Sequence, residues 1–142
     1  KWCNDSLWRI AGDALYSPKL LAFYLTQNVN ARGLACCSQA CLLHSLTQNR
    51  SYSSGGKDCL EKARILLDVI PDMINHQNED GKTPLDYAYG DLEEAKRISD
   101  APHVVEQLIA LYKQHGGLTS QELAAKKQKQ SQENTQSTCY LF

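Results

Sequence analysis

Cys37, Cys41 and His44 fall at i, i+4 and i+7, so a helix through them carries two thiols and an imidazole on one face, with Cys59 further along the chain. Zinc needs four such ligands converging in a tetrahedron. The same spacing is also that of a buried helical stripe, where Cys packs as a small hydrophobe. This set therefore reads as core, with His44 a hydrogen-bonded structural histidine, no metal site and no cofactor. His76, His103 and His115 have no nucleophile or paired carboxylate at motif spacing. No catalytic residue is assigned and the chain does not read as an enzyme; a thiol or zinc enzyme is the remote alternative. Cys139 is different, because it follows the polar run 130–138 and precedes Tyr140-Leu141-Phe142. A thiol on a polar lead is open to covalent modification.

The elements that must position these groups are helical. Ser17-Pro18 is an N-cap with a first-turn proline, ahead of the largely apolar run Leu20, Leu21, Phe23, Tyr24 and Leu25. Cys37, Ala40, Cys41, Leu43 and Leu46 recur at helical spacing. The composition of 49–56 predicts a loop, and Asp58 with Glu61 predicts a cap for a helix whose apolar face is Leu60, Ala63, Leu66, Leu67 and Ile70. Pro71 helps to end that helix. Thr83, Pro84 and Asp86 form an N-cap, a first-turn proline and a capping-box carboxylate, and Gly81 permits a tight turn before them. Asp100 with Pro102 predicts another start, for the apolar positions Val104, Val105, Leu108, Ile109, Leu111 and Tyr112, which Gly116-Gly117 closes. Thr119 and Glu122 predict a short helix to about Lys129, followed by a flexible tether over 130–138. Sustained period-two alternation is missing, so the fold class is all-α.

Composition bounds the function classes. The chain has 142 residues, room for one modest domain and a tail: 1–117 as the domain and 118–142 as the tail. An apolar content of 42% supports a core, and a net charge of −1 gives no electrostatic case for nucleic acid. Six cysteines lack framework spacing, which points to reduced thiols and an intracellular setting, cytoplasmic or on the cytoplasmic face of a membrane. Apolar runs fall short of a membrane span. The sequence opens on Lys1 rather than Met, which predicts that further sequence precedes it.

The octapeptide Gly81-Lys82-Thr83-Pro84-Leu85-Asp86-Tyr87-Ala88 resembles the signature of the ankyrin repeat, T-P-L-H-x-A. Leu43-His44 with Leu46 matches it 42 positions earlier, against a family period of about 33, and the Ser/Gly-rich stretch 49–56 accounts for the excess. Leu7 with Ile10 is a weaker match, and Val29-Asn30 and Ile74-Asn75 resemble the apolar-Asn step between repeats. The resemblance implies an ankyrin-like stack of helical hairpins over 1–117, about three repeats with the first degenerate. Two departures are Asp86 at the usual His position and a lengthened connection over 91–101. Unrelated helical hairpins are the alternative.

Ankyrin repeats bind proteins through hairpin tips and the first-helix face, which implies an adaptor for an unidentified protein. The resemblance places Ala31, Arg32 and Leu34 on that surface in one repeat, and Glu79, Asp80, Lys82, Tyr89 and Asp91 in the next. The ending Cys139-Tyr140-Leu141-Phe142 resembles a C-a-a-X prenylation box, which implies a lipid on Cys139 and a membrane anchor, with Phe142 favouring geranylgeranyl. A single isoprenoid binds membranes marginally, and Lys126, Lys127 and Lys129 form only a thin basic patch beside it. Ser6-Leu7-Trp8-Arg9 is similar to the tail of an F-box. That likeness implies the rival reading, a substrate-recruiting component of a ubiquitin ligase of the kind found in bacterial effectors delivered into host cells. Packing of Leu7 and Trp8 against Leu20 and Phe23 is the simpler account of the same residues.

Overall fold

The computed structural model describes residues 17–26, 42–47 and 52–139, and helix is the only regular structure among them. Helix α1 is Pro18–Thr26, α2 Leu42–Thr47 and α3 Tyr52–Val69; a 3₁₀ helix, Pro71–Asn75, follows. Then come α4 at Pro84–Ile98, α5 at Pro102–Gln114 and α6 at Ser120–Cys139. Among the described residues, no helix is long and apolar enough to cross a membrane.

Local chemistry sets most of these boundaries. Ser17 Oγ accepts the Leu20 N–H at 3.3 Å, capping α1 as its sequence predicts. At α4 both halves of the capping box are present: Thr83 Oγ1 accepts the Asp86 N–H, and an Asp86 carboxylate oxygen accepts the Thr83 N–H at 2.9 Å. Helix α5 ends in a Schellman motif, with the Gly116 N–H on Lys113 O and the Gly117 N–H on Tyr112 O.

Three boundaries differ from the sequence expectation. Helix α3 starts at Tyr52, so Asp58 lies inside it rather than capping it, and 52–56 is helix rather than loop. Once a helix is nucleated by packing at Cys59, Leu60 and Ala63, each further residue adds one hydrogen bond, and that outweighs the weak propensity of Ser and Gly. Asp100 does not cap α5; Ala101 occupies the N-cap at φ 46° and makes no side-chain cap. Helix α4, by contrast, runs to Ile98, in keeping with a helix continuing through Glu93, Glu94 and Arg97, and takes in most of the 91–101 stretch. Finally, α6 continues through 130–138, where a flexible tether was expected. Its Gln, Glu and Lys residues are good helix formers, and Glu122 with Lys126 and Lys129 with Glu133 fall at i, i+4. Residues 124–135 are all exposed.

Helices α2 and α3 form one packed pair and α4 and α5 a second. The pairs meet first helix to first helix, α2 on α4, and second helix to second helix, α3 on α5; α1 packs on α3. One core runs through them, including Leu21, Leu43, Leu66, Leu85, Val105 and Leu108, all fully buried. Each such side chain contributes about 1.5–3 kcal/mol of burial free energy. Within α1, Pro18 and Leu21 are buried and Leu20, Tyr24 and Leu25 pack partly against the core, while Phe23 of the same apolar run is 57% exposed. Thr47 and Tyr112 join α2 to α5 through a buried hydroxyl pair at 2.8 Å.

Candidate functional site

The turn between the two pairs, residues 78–82, is built around one amide. Asn78 is buried, and its Oδ1 accepts the N–H groups of Asp80 and Lys82, each at 3.0 Å. Its Nδ2 donates to the Tyr87 hydroxyl at 2.6 Å. Backbone bonds close the loop, from the Gly81 N–H to Asn78 O and from the Asn78 N–H to Lys82 O. Gly81 sits at φ 73°, a left-handed conformation that costs residues with a Cβ about 1–2 kcal/mol. Inward groups thus consume the turn's polar backbone, while the side chains of Glu79, Asp80 and Lys82 stand exposed at its tip.

His44 locks this tip to the preceding pair. Its Nε2–H donates to Lys82 O at 2.8 Å, across 38 residues of sequence. The ring is fully buried and meets Tyr87 edge-on at 5.2 Å between centroids, with His76 at 6.1 Å. Burial holds the His44 pKa below the usual imidazole value; the hydrogen bond to Lys82 pulls the other way, His76 lowers it further and Asp86 raises it. With Nε2 engaged as a donor, that nitrogen is no metal ligand.

Cys59 is buried, and its thiol points to Leu46 O at 3.9 Å. Burial pushes its pKa up to about 12, with Lys62 pulling down and Asp91 pushing up. That environment makes a packing cysteine, not a nucleophile. Groups of three or more His, Cys, Asp or Glu able to hold a metal do not occur among the described residues. Cys37 and Cys41 lie outside those residues.

The surface residues expected from sequence do not form one patch. Glu79, Asp80 and Lys82 share the tip. Tyr89 packs partly into the core, with Lys113 Nζ of α5 5.4 Å from its ring centroid. Asp91 is half-buried and close enough to Cys59 to raise its pKa. Ala31, Arg32, Leu34, Leu7, Trp8 and the Val29-Asn30 step lie outside the described residues, as do Tyr140, Leu141 and Phe142; Cys139 is the last residue of α6.

A second turn repeats the tip's logic. Thr83 Oγ1 donates to Leu118 O at 2.8 Å, and both Asp86 carboxylate oxygens accept the Ser120 N–H. Asn75 adds two bonds, Nδ2 to Gly116 O at 3.0 Å and Oδ1 from the Leu118 N–H at 2.7 Å. Lys82 O is thus gripped from the preceding first helix and Leu118 O from the N-cap of the preceding first helix, and each precedes a threonine that caps the next helix. Sequence reasoning missed this. The signal for it was Gly117-x-Thr119-x-x-Glu122-x-Ala124, which repeats Gly81-x-Thr83-x-x-Asp86-x-Ala88 at an offset of 36 positions. Set against models of known protein families, curated proteins and solved structures, the chain finds no match.

Proposed function

We propose that this chain is a non-enzymatic ankyrin-type repeat module that captures a protein partner on its hairpin tips. The carrying observation is the 78–82 turn, whose backbone is held by Asn78, His44 and the Thr83–Asp86 box while Glu79, Asp80 and Lys82 face outward. A rigid backbone presenting exposed charged side chains lowers the ordering cost of binding. The pairing of first helix with first helix and second with second supports the same reading, since small hairpins that cannot shield their own apolar faces gain a core by stacking. The polar outer surface of α6, which starts like a further unit, suits the end of such a stack.

The reading is tested with a Glu79→Lys/Lys82→Glu variant. Cross-linking mass spectrometry in eukaryotic cytosol should lose the wild-type partner cross-links, with helicity and melting temperature unchanged. Equal cross-linking by both proteins rejects the tip as the binding surface.

The adaptor is held at a membrane by a lipid on Cys139. The Cys139-Tyr140-Leu141-Phe142 motif supports this, with α6 as a spacer of about 30 Å for its 20 residues. Intact mass after expression in a eukaryotic host is expected to show an isoprenoid-sized gain that Cys139→Ser abolishes; no gain in the wild type rejects the anchor. Recruitment to a ubiquitin ligase through sequence near Ser6-Leu7-Trp8-Arg9 is the rival reading, supported by those residues alone.

A further inference from the structure

We propose that His44 is a proton-operated latch on the tip: protonating its ring loosens the 78–82 turn from α2 and so weakens partner capture below neutral pH. The second half rests on the tip being the binding surface; the first does not.

Three observations place His44 where one proton has leverage. It is the side chain of the first pair that grips the turn of the second, at Lys82 O. Lys82 O also closes the hairpin by accepting the Asn78 N–H, so the contact His44 makes is shared with the turn's own hydrogen bonding. The ring is fully buried, so a cation formed there loses its water.

The groups facing the ring decide the sign. His76, just beyond the 3₁₀ helix, lies 6.1 Å from the ring between centroids and acts electrostatically against a positive charge on His44. From α4, Asp86 offers a compensating charge, but its oxygens are already committed to the N–H groups of Thr83 and Ser120. Tyr87, on the same helix, stands perpendicular to the ring at 5.2 Å between centroids. On the α3 side the titratable groups near α2 are the protonated Cys59 thiol and the buried Lys62, which acts electrostatically on that thiol. The hydrogen bond to Lys82 O and the Asp86 charge favour the cation, but burial, with His76, outweighs them in the closed turn, while a released turn lets the ring take up water and a proton. Opening binds one proton more than closing, and the open population grows up to tenfold per pH unit over the window below about pH 6.5.

The test uses the full chain without any partner. Hydrogen exchange at amides 78–82 is compared between pH 7.5 and pH 5.0, expressed as protection factors so that the intrinsic pH dependence of exchange cancels. Wild type should lose protection there, by no more than about tenfold per pH unit, the limit for linkage to one proton. His44→Gln keeps an N–H donor for Lys82 O but does not titrate, and should hold its protection constant. Equal loss in His44→Gln, or no loss in wild type, overturns the latch. Should His44→Gln fail to fold, NMR titration of the wild-type His44 ring decides: its midpoint must lie below that of an exposed histidine and coincide with the shifts of the 78–82 amides. A midpoint at or above the exposed value, or amides that do not follow it, overturns the proposal equally. Partner binding enters none of these readouts, so a failed adaptor reading leaves them interpretable.

Discussion

Asp86 holds Ser120: both oxygens of its carboxylate accept the Ser120 N–H, at 3.2 and 3.0 Å, while one of them also accepts the Thr83 N–H at 2.9 Å. One carboxylate thus serves the N-termini of two helices, α4 and α6, where the helix dipole favours a negative charge.

Asp86→Ala removes both anchors. It should cost about 1–2 kcal/mol of unfolding free energy from the lost cap and hydrogen bonds, read as a lower denaturant midpoint with an unchanged slope. Limited proteolysis should also shift to 115–120, since α6 would keep only the Asn75 and Thr83 ties to its leading turn. A variant with wild-type stability and an unchanged cleavage map would show that the bridge contributes nothing.

Acid should destabilise the fold through His44. Its folded pKa is lowered, chiefly by burial, so the unfolded chain binds the proton more readily. The stabilising contribution is therefore complete above the unfolded value of about 6.5 and is lost as pH falls through the folded pKa. Denaturant melts from pH 7.5 to 5.0 should show a falling midpoint in wild type and a flatter profile in His44→Gln. Parallel profiles would assign the acid sensitivity to other groups.

Cys59 should resist alkylation. A thiol with its pKa at about 12 carries almost no thiolate at pH 8, and its burial excludes reagent. Peptide mapping after iodoacetamide treatment should find Cys59 unmodified in the native protein and modified in denaturant. Rapid native labelling would contradict the packing role.

Ser99→Gly should stabilise the α4–α5 connection. Ser99 ends α4 in the left-handed region at φ 56° and ψ 37°, which costs an L-residue about 1–2 kcal/mol and glycine very little. After the entropy that glycine adds to the unfolded chain, a gain of up to about 1 kcal/mol is expected from thermal melts. A lower melting temperature would count against that strain.

What could be read from sequence follows the range of the interactions involved. The Thr83–Asp86 box spans three residues, and its Oγ and carboxylate geometry is written into the local spelling, so the start of α4 could be placed to the residue. The core positions Leu43, Leu66, Leu85 and Leu108 follow from helical periodicity. The early start of α3 and the long run of α6 were not legible, because 52–56 and 130–138 take their state from cooperative extension of a helix begun elsewhere. The half-burial of Tyr89 and Asp91, expected on the binding surface with the tip residues, was not legible for a related reason. Which way a helical side chain turns depends on where its neighbours sit, and Tyr89 meets Lys113 while Asp91 lies toward Cys59. The Asp86–Ser120 bridge could have been anticipated from the 36-position echo of Gly81-x-Thr83.

Lys82 divides its labour in a way that bears on how such a surface can change. Its carbonyl is clasped by the Asn78 N–H and the His44 ring, while its side chain extends into solvent. Main-chain anchoring leaves the identity of the outward group nearly irrelevant to folding. Exchanging that lysine, or its exposed companions Glu79 and Asp80, rewrites what the molecule shows to its surroundings without disturbing the frame behind it.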